Sequence, residues 1–276
     1  METAAQLRRP LNLTQPAREY AVIASLPKNS TNFAARAEEA GADAILLNVD
    51  RDEESFPSQY GSYDLHDVYI NDVISTVKIP CGISIGGARP ITQDYWERVM
   101  SSQCSFVEMY AHQMPLHLLS DTRAKKIAIV GAGYILEQVK QLSQFEGLDA
   151  LEAATAPTQA RSAPYTVLDQ ATLGLIVGLS SKPVLLRTQK RLTREDVPLV
   201  LKLGVIGLVV DPMSVSGAEE AYRGELESLS PRRAEAEQAE QERPSGDSGG
   251  GAGDQAEALH VPSAEADATG GPEAHP

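Results

Sequence analysis

The segment from Lys182 to Pro212 constrains the fold of this chain most strongly, because it reads as two buried strands joined by one helix. Continuous apolar runs at 184–186 and 205–210 are typical of strands buried on both faces. Between them, Thr193 and Asp196 resemble a capping box, with aspartate in place of the usual glutamate or glutamine. A strand, a helix of about three turns and a second strand with short connections form a right-handed parallel unit.

The same alternation recurs along the chain and predicts eight strands and eight helical segments. A parallel sheet with so many units fits a closed (β/α)8 barrel, which leaves no strand edge exposed. An open doubly wound sheet is the competing fold, but no interruption marks the reversal of strand order that it needs. We therefore predict an α/β protein with a single TIM barrel. The predicted strands are residues 20–25, 44–49, 79–85, 106–110, 127–130, 150–153, 184–186 and 205–210.

Composition divides the chain into three parts. Residues 1–17 form a polar N-terminal extension, and residues 18–230 contain all the barrel units. Residues 231–276 are rich in Ala, Glu, Gln, Gly, Ser and Pro and almost lack aliphatic side chains. Such a segment cannot bury enough apolar surface to offset the entropy lost on ordering, so we predict a disordered acidic tail.

The charge balance excludes some classes of partner. The 276 residues carry a formal net charge of −14, and no basic cluster is large enough to neutralise a phosphate backbone, which disfavours nucleic acid. No apolar run approaches the roughly 18 residues of a membrane span, and the N-terminus lacks the apolar region of a signal peptide. Cys81 lies in a predicted strand and Cys104 lies just before another, in regions where small buried thiols are common. The sequence predicts a cytoplasmic protein without membrane contact.

Barrel proteins carry their chemistry at the carboxyl ends of the strands and in the loops that follow. Those ends supply a candidate site for a small anionic molecule. The candidate catalytic residues are Lys28, Asp50, Glu108 and Glu152. The candidate substrate- or anion-binding residues are Asn48, Ser84, Gly86, Gly87, Arg187, Lys190 and Asp211.

Glu108 and Glu152 stand out because each lies inside an apolar strand. A buried carboxylate must be paired, protonated or bound to a metal, and Lys28 and Arg187 are the natural partners. A carboxylate pair with a lysine suits proton abstraction or Schiff-base chemistry. The alternative is a structural layer of ion pairs that fills the barrel interior.

Arg187 follows three aliphatic residues of strand seven, so its guanidinium should emerge at the barrel mouth. It could anchor an anion in a bidentate contact or pair with Glu108, Glu152 or Asp211. We favour the anchor, because Arg187 and Lys190 share a basic loop where a structural role needs only one cation.

Two stretches, AARAEEAGADAILLNV and TREDVPLVLKLGVIGLVVDP, resemble the phosphate-binding (β/α)8 barrels. These include thiamine-phosphate synthase, the tryptophan- and histidine-pathway barrels and the FMN-linked oxidoreductases. The order of strand two, Phe56, Tyr60 and VKIP at 77–80 is similar to indole-3-glycerol-phosphate synthase. Where that family has a catalytic lysine on strand three, this chain has CGIS at 81–84. Where phosphate barrels have a Gly-Gly turn after strand seven, this chain has RTQKR, so side chains would hold the phosphate.

The resemblance implies a lyase, isomerase or synthase that acts on an anionic, phosphorylated small molecule. One alternative is an FMN-linked oxidoreductase in which Gly86 and Gly87 help to hold the cofactor. Another is a barrel that has lost catalysis and serves as a binding or scaffold protein, which the missing lysine and glycine turn favour. The five histidines show no ligand spacing, so we expect no protein-built metal site. A homo-oligomer is compatible with the sequence.

Overall fold

The computed structural model describes residues 20–51, 60–87, 89–157, 160, 163–212 and 219–230. The predicted N-terminal extension, residues 1–17, and the predicted disordered tail, residues 231–276, lie outside the described residues.

Eight parallel strands close into a barrel in sequential order, which confirms the predicted fold class. Each strand pairs in parallel with the next, and β8 pairs with β1 to close the sheet. The strands are β1 (Ala21–Ser25), β2 (Ala44–Val49), β3 (Cys81–Ile85), β4 (Phe106–Tyr110), β5 (Lys125–Gly131), β6 (Ala150–Ala154), β7 (Val184–Arg187) and β8 (Gly207–Val210).

Helical segments follow the strands and form the outer layer. Within the described residues, the connection from β4 to β5 contains a 3-10 segment, Leu116–Ser120, whereas the other connections contain α-helices. The α-helices are α1 (Thr31–Glu39), α2 (Tyr63–Thr76), α3 (Gln93–Ser101), α4 (Leu136–Leu142), α5 (Val167–Leu179), α6 (Val197–Leu201) and α7 (Glu219–Leu229).

Helix α6 is shorter than the sequence predicted. The expected contact is present, since the hydroxyl of Thr193 donates to the Asp196 carboxylate at 2.7 Å. Regular α-helix nevertheless begins only at Val197. Pro198 has no backbone N–H to donate to the preceding turn, so residues before Val197 form a turn instead of a first helical turn.

The chain termini of the barrel are tied together by hydrogen bonds between distant residues. The Tyr20 hydroxyl donates to the carbonyl of Leu229 at 2.7 Å, and the Tyr222 hydroxyl donates to the carbonyl of Ser25 at 2.6 Å. The Ser230 hydroxyl donates to the carbonyl of Gly41 at 3.2 Å. Helix α7 is therefore fastened to β1 and to the end of α1.

The lower part of the barrel interior is an apolar cluster of its own, separate from the larger core between strands and helices. Phe106 spans this interior and lies against Gly82 on the neighbouring strand, where an added Cβ would come within 2.1 Å of the phenyl ring. The other members of the inner cluster are Ile23, Ala44, Leu46, Ile127, Ala150, Leu185, Ile206 and Val209. Alternate residues of each strand thus fill the barrel as a packed core.

The outer core contains both cysteines. Cys81 and Cys104 are buried free thiols. Burial raises the pKa of Cys81 to about 12 and that of Cys104 to about 11, so both stay protonated and behave as small apolar side chains.

Gly86 is required where the loop after β2 crosses the end of β3. A Cβ at this position would lie 2.1 Å from the carbonyl oxygen of Asp50 and 2.5 Å from the Cα of Arg51. Because both neighbours are backbone atoms, Gly86→Ala should lower the free energy of unfolding by about 1–3 kcal/mol, as overpacking does. Urea unfolding measures this loss.

Gly178→Ala is the matched control for Gly86→Ala. Gly178 lies in α5, and nothing lies within 4 Å of its added Cβ. An alanine there should be neutral or stabilising because of its higher helix propensity. If Gly86→Ala were as stable as the unsubstituted protein, the loop after β2 and the end of β3 would be able to move apart without loss of stability.

Candidate functional site

A polar layer of inward-facing residues lies above the apolar interior, at the carboxyl ends of the strands. The strand register places Asn48, Ser84 and Glu108 side by side on β2, β3 and β4. The layer is buried, and its members are Ser25, Asn48, Ser84, Glu108, Glu152, Arg187 and Asp211. Six of these seven are among the residues that the sequence predicted for the site.

Arg187 is the centre of the charged half of this layer. Its Nε donates to Glu152 Oε1 at 2.5 Å, and its Nη1 donates to Asp211 Oδ2 at 3.1 Å. Its Nη2 donates to Glu108 Oε1. The guanidinium therefore joins carboxylates that come from β4, from β6 and from the end of β8. Both buried glutamates thus pair with Arg187, as the sequence predicted.

The charges of this cluster do not balance. One guanidinium faces three carboxyl groups, which would give a net charge of −2 if all were ionised. Burial raises the pKa of Glu152 well above its usual range; Arg187 opposes the shift and Glu108 adds to it. Among the described residues, Oε2 of Glu108 and Oε2 of Glu152 have no hydrogen-bond partner. The raised pKa therefore favours the protonated form of Glu152.

The other half of the layer is neutral and is organised by Asn48. The Asn48 side-chain amide donates to the Ser25 hydroxyl at 3.2 Å and to the Leu26 carbonyl at 3.0 Å. Asn29 binds the backbone of Asn48 at both ends, with its amide donating at 2.6 Å and its carbonyl oxygen accepting at 3.0 Å. These contacts fix the orientation of Asn48 and direct its Oδ1 toward the mouth.

Arg51 lies over this neutral half and was missed by the sequence analysis. Its Nη1 donates to Asn48 Oδ1 at 3.1 Å and to Ser84 Oγ at 3.2 Å. The side chain is half-buried, so it is more accessible than Arg187. The only sequence signal was its position two residues after the end of β2, next to the predicted Asp50.

Asp50 faces the helices instead of the barrel mouth. Its backbone has φ of 50°, in the left-handed region. The carboxylate accepts from the Tyr95 hydroxyl at 2.7 Å and from the Tyr63 backbone N–H at 3.4 Å, and Arg89 Nε lies 3.6 Å away. Burial and the Asp50 carboxylate together raise the pKa of Tyr95. Asp50 therefore anchors α2 and α3 to the loop after β2.

The two lysines of the predicted site have different surroundings. Lys28 is exposed in the loop after β1, whereas Glu108 and Glu152 each form an ion pair with Arg187. Lys190 pairs with both carboxylate oxygens of Asp169, at 2.8 and 2.7 Å. The structure does not bring either lysine onto the glutamate pair.

The loop after β7 offers little room for an anion in this conformation. The cavity beside it has a volume of about 20 Å³, which suits a single water molecule. Arg187 already contacts three carboxylates, and Lys190 contacts Asp169. An anion bound to either cation would have to displace a carboxylate. Anion binding at this loop stays a prediction that these contacts do not favour.

The glycine pair after β3 packs against the chain itself. The space beside Gly86 is filled by the backbone of Asp50 and Arg51, and the space beside Gly87 is filled by the Gln113 amide, 2.0 Å from an added Cβ. The turn therefore does not form an open cradle for FMN, and the residues present do not fit the cofactor at this position.

Within the described ranges, no group of three or more His, Cys, Asp and Glu side chains is arranged to hold a metal ion. Among the same residues, no helix has both the length and the apolar character that a membrane crossing requires.

Comparison with known proteins places the chain by its fold. No protein-family model matches the sequence, and no match was found among curated proteins. A mutant tryptophan synthase α-subunit from Pyrococcus furiosus superposes with a TM-score of 0.56 at 14% identity, covering 76% of this chain and 97% of that one. Thiamine phosphate pyrophosphorylase from the same organism superposes with a TM-score of 0.54 at 20% identity, covering 79% and 96%. The chain shares their barrel fold. This confirms, at the level of fold, the resemblance drawn from the sequence.

Proposed function

We propose that the protein is a barrel enzyme that acts on a small, phosphorylated molecule at the carboxyl end of the sheet. The polar layer carries this proposal. Barrel interiors are usually filled by branched apolar side chains, and buried polar or charged groups are costly unless they are fully paired. Replacing an apolar layer by three carboxyls, a guanidinium, an asparagine and two serines has no evident benefit for folding.

In this proposal Arg51, Asn48 and Ser84 bind the anionic group of the substrate. The guanidinium of Arg51 is half-buried at the mouth and is oriented by the Asn48 amide oxygen and the Ser84 hydroxyl. A planar guanidinium with a fixed orientation suits two parallel hydrogen bonds to phosphate or carboxylate oxygens. Asn48 and Ser84 thus keep the role that the sequence suggested, with Arg51 as their cation.

Glu152 and Glu108 are the proposed acid–base pair. Burial raises the pKa of Glu152, and a carboxyl with a raised pKa beside a second carboxyl is an arrangement in which one group can act as acid and the other as base. Arg187 holds both side chains in place. Lyases and isomerases share a step in which a proton is transferred to and from carbon or oxygen. We therefore propose that the enzyme is a lyase or an isomerase. Thiamine phosphate pyrophosphorylase, which has the same fold, is named for a phosphorylated compound, and this supports the choice of a phosphorylated substrate.

The binding step is tested by thermal unfolding with inorganic phosphate and with a panel of sugar phosphates. A ligand at 100 times its dissociation constant should stabilise the protein by about 2.7 kcal/mol. Arg51→Ala should abolish most of that gain, because the charged end of the ligand loses its bidentate partner. Arg98→Ala is the matched control, since Arg98 is an exposed arginine on α3 that pairs with Asp64.

An unchanged response of Arg51→Ala to every stabilising phosphate compound would refute the anion site. If Arg98→Ala also lost its stabilisation by phosphate compounds, these compounds would be attracted to arginine side chains without specificity.

A non-catalytic binding protein is the second candidate. One observation favours it: Glu108 and Glu152 are 0% exposed, so a bound ligand does not reach them in this conformation. The same panel separates the two functions when each stabilising compound is incubated with the protein and followed by phosphorus NMR. Conversion that disappears in Glu152→Gln supports the enzyme, whereas binding without conversion of any compound supports the binding protein.

A further inference from the structure

The connection between β4 and β5 leaves a gap in the helical layer. Its 3-10 segment, Leu116–Ser120, is too short to cover the strands beside α4 as an α-helix would. A cavity of about 280 Å³ opens there, next to the loop that follows β4. This cavity lies outside the polar layer of the barrel.

The cavity has a polar end and an apolar continuation. Its polar lining comes from His112, Tyr134, Gln138 and Gln141. Its apolar wall continues into a narrow crevice of about 40 Å³ beneath the 3-10 segment. The two spaces share three lining residues, and the crevice adds five more. The shared residues are Ala111, Leu142 and Phe145; the added ones are Met114, Leu116, Leu119, Ala128 and Leu148.

The hydrogen bonds at the polar end define what it offers to a ligand. The Tyr134 hydroxyl accepts from the backbone N–H of His112 at 3.1 Å and lies 2.7 Å from His112 Nδ1. In the tautomer in which the Tyr134 hydroxyl donates its proton to Nδ1, the imidazole proton of His112 lies on Nε2. His112 is exposed, so this Nε2–H can donate to an acceptor on a ligand.

The lining of the cavity and the crevice contains no Asp, Glu, Lys or Arg side chain among the described residues. A phosphate would lose its hydration there without meeting a cation. A hydroxyl or carbonyl group is a suitable acceptor. The narrow crevice suits the end of a chain of methylene groups, and the wider cavity has room for the rest of the chain. Exposed Leu116 and Phe145, 73% and 42% exposed, would be covered by such a chain.

We propose that this cavity binds a neutral amphiphile, a molecule with a hydroxyl or carbonyl head and an unbranched alkyl chain. The head accepts from His112 Nε2, and the chain lies between the 3-10 segment and α4 against Leu142 and Phe145. The proposal is independent of the function assigned to the barrel mouth, since no residue is shared between the two sites.

Isothermal titration calorimetry with straight-chain 1-alkanols from butanol to decanol tests the site on the whole protein. Burial of one methylene contributes about 0.8 kcal/mol, so the dissociation constant should fall about fourfold with each added methylene until the crevice is full. Phe145→Gln and Leu116→Gln should flatten this dependence on chain length. Leu199→Gln is the matched control, because Leu199 is a 53% exposed leucine on α6 away from the cavity.

His112→Ala tests the head separately from the chain. Loss of one hydrogen bond should weaken binding about fivefold for every alkanol and leave the dependence on chain length unchanged. A flat chain-length series in the unsubstituted protein overturns the proposal. Equal flattening by Leu199→Gln also overturns it, because the effect would then belong to exposed apolar surface in general. Concentration-dependent self-association that Phe145→Gln removes, with no alkanol binding, would assign this surface to a second copy of the chain instead.

Discussion

Arg187→Ala is expected to lower the free energy of unfolding by about 3–5 kcal/mol, the largest effect of any single polar substitution in this protein. The guanidinium is buried and contacts Glu108, Glu152 and Asp211. Its removal takes this guanidinium away from three carboxyl groups in the barrel interior. Urea unfolding at neutral pH measures the loss, and mild acidification should recover part of it because the carboxyls become protonated.

Arg191→Ala is the matched control for Arg187→Ala, because Arg191 is exposed in the loop after β7. Its removal should change stability by less than about 0.5 kcal/mol. A combined Arg187→Met, Glu108→Gln and Glu152→Gln variant should regain part of the stability, since it removes two of the three buried carboxyls together with the guanidinium and leaves only Asp211. If Arg187→Ala were as stable as Arg191→Ala, the structural role of the cluster would be refuted. The interpretation of Arg187 as an anion anchor would then be favoured.

The second large effect concerns the dependence of stability on pH. Burial raises the pKa of Glu152 in the folded protein above the value of about 4.5 expected for an exposed glutamate. Below that value both states carry the proton. Between it and the folded pKa, the unfolded chain releases the proton while the folded protein keeps it, so stability falls as pH rises, by up to about 1.4 kcal/mol per pH unit.

Glu152→Gln removes this pH dependence because the amide resembles the protonated carboxyl and does not ionise. Between about pH 5 and the folded pKa of Glu152, the variant should therefore become more stable relative to the unsubstituted protein as pH rises, as followed by urea unfolding across a pH series. Glu137→Gln, at an exposed position on α4, is the control. Its free energy of unfolding should change with pH in the same way as that of the unsubstituted protein. A constant difference between Glu152→Gln and the unsubstituted protein over pH 5–8 would show that Glu152 is ionised throughout, contrary to the charge argument.

The barrel itself could be predicted from the sequence because each strand is a short apolar run, and the helices show apolar residues at helical spacing or a capping residue. The pairing of Glu108 and Glu152 with Arg187 could also be foreseen, since carboxyls within apolar strands need a partner. In both cases the information is local or follows from a strong energetic requirement. The register of the strands then places these residues at one level of the barrel.

The contacts of individual loop residues could not be predicted in the same way. Asp50 was expected to face the mouth, but its left-handed backbone turns the carboxylate toward Tyr63 and Tyr95. Lys190 was expected to bind a substrate, but it meets Asp169, which lies 21 residues earlier at the start of α5. Such outcomes depend on loop geometry, which leaves no periodic pattern in the sequence.

Arg51 was missed for a related reason. It follows Asp50 in a charged stretch, and nothing in that stretch distinguishes it from solvated neighbours. Its importance derives from Asn48 and Ser84, which lie on two different strands and come together only in the folded sheet.

The hydrogen bonds that join Tyr20 to Leu229 and Tyr222 to Ser25 bear on the order in which the chain acquires its structure. They link residues 209 and 197 positions apart, and the pairing of β1 with β8 spans a similar separation. Contacts of such long range form late, because the entropy of closing a long loop opposes them until shorter-range contacts are in place. During synthesis, β1 leaves the ribosome well before β8 exists. One edge of the first strand therefore stays unpaired until nearly the whole barrel sequence has emerged.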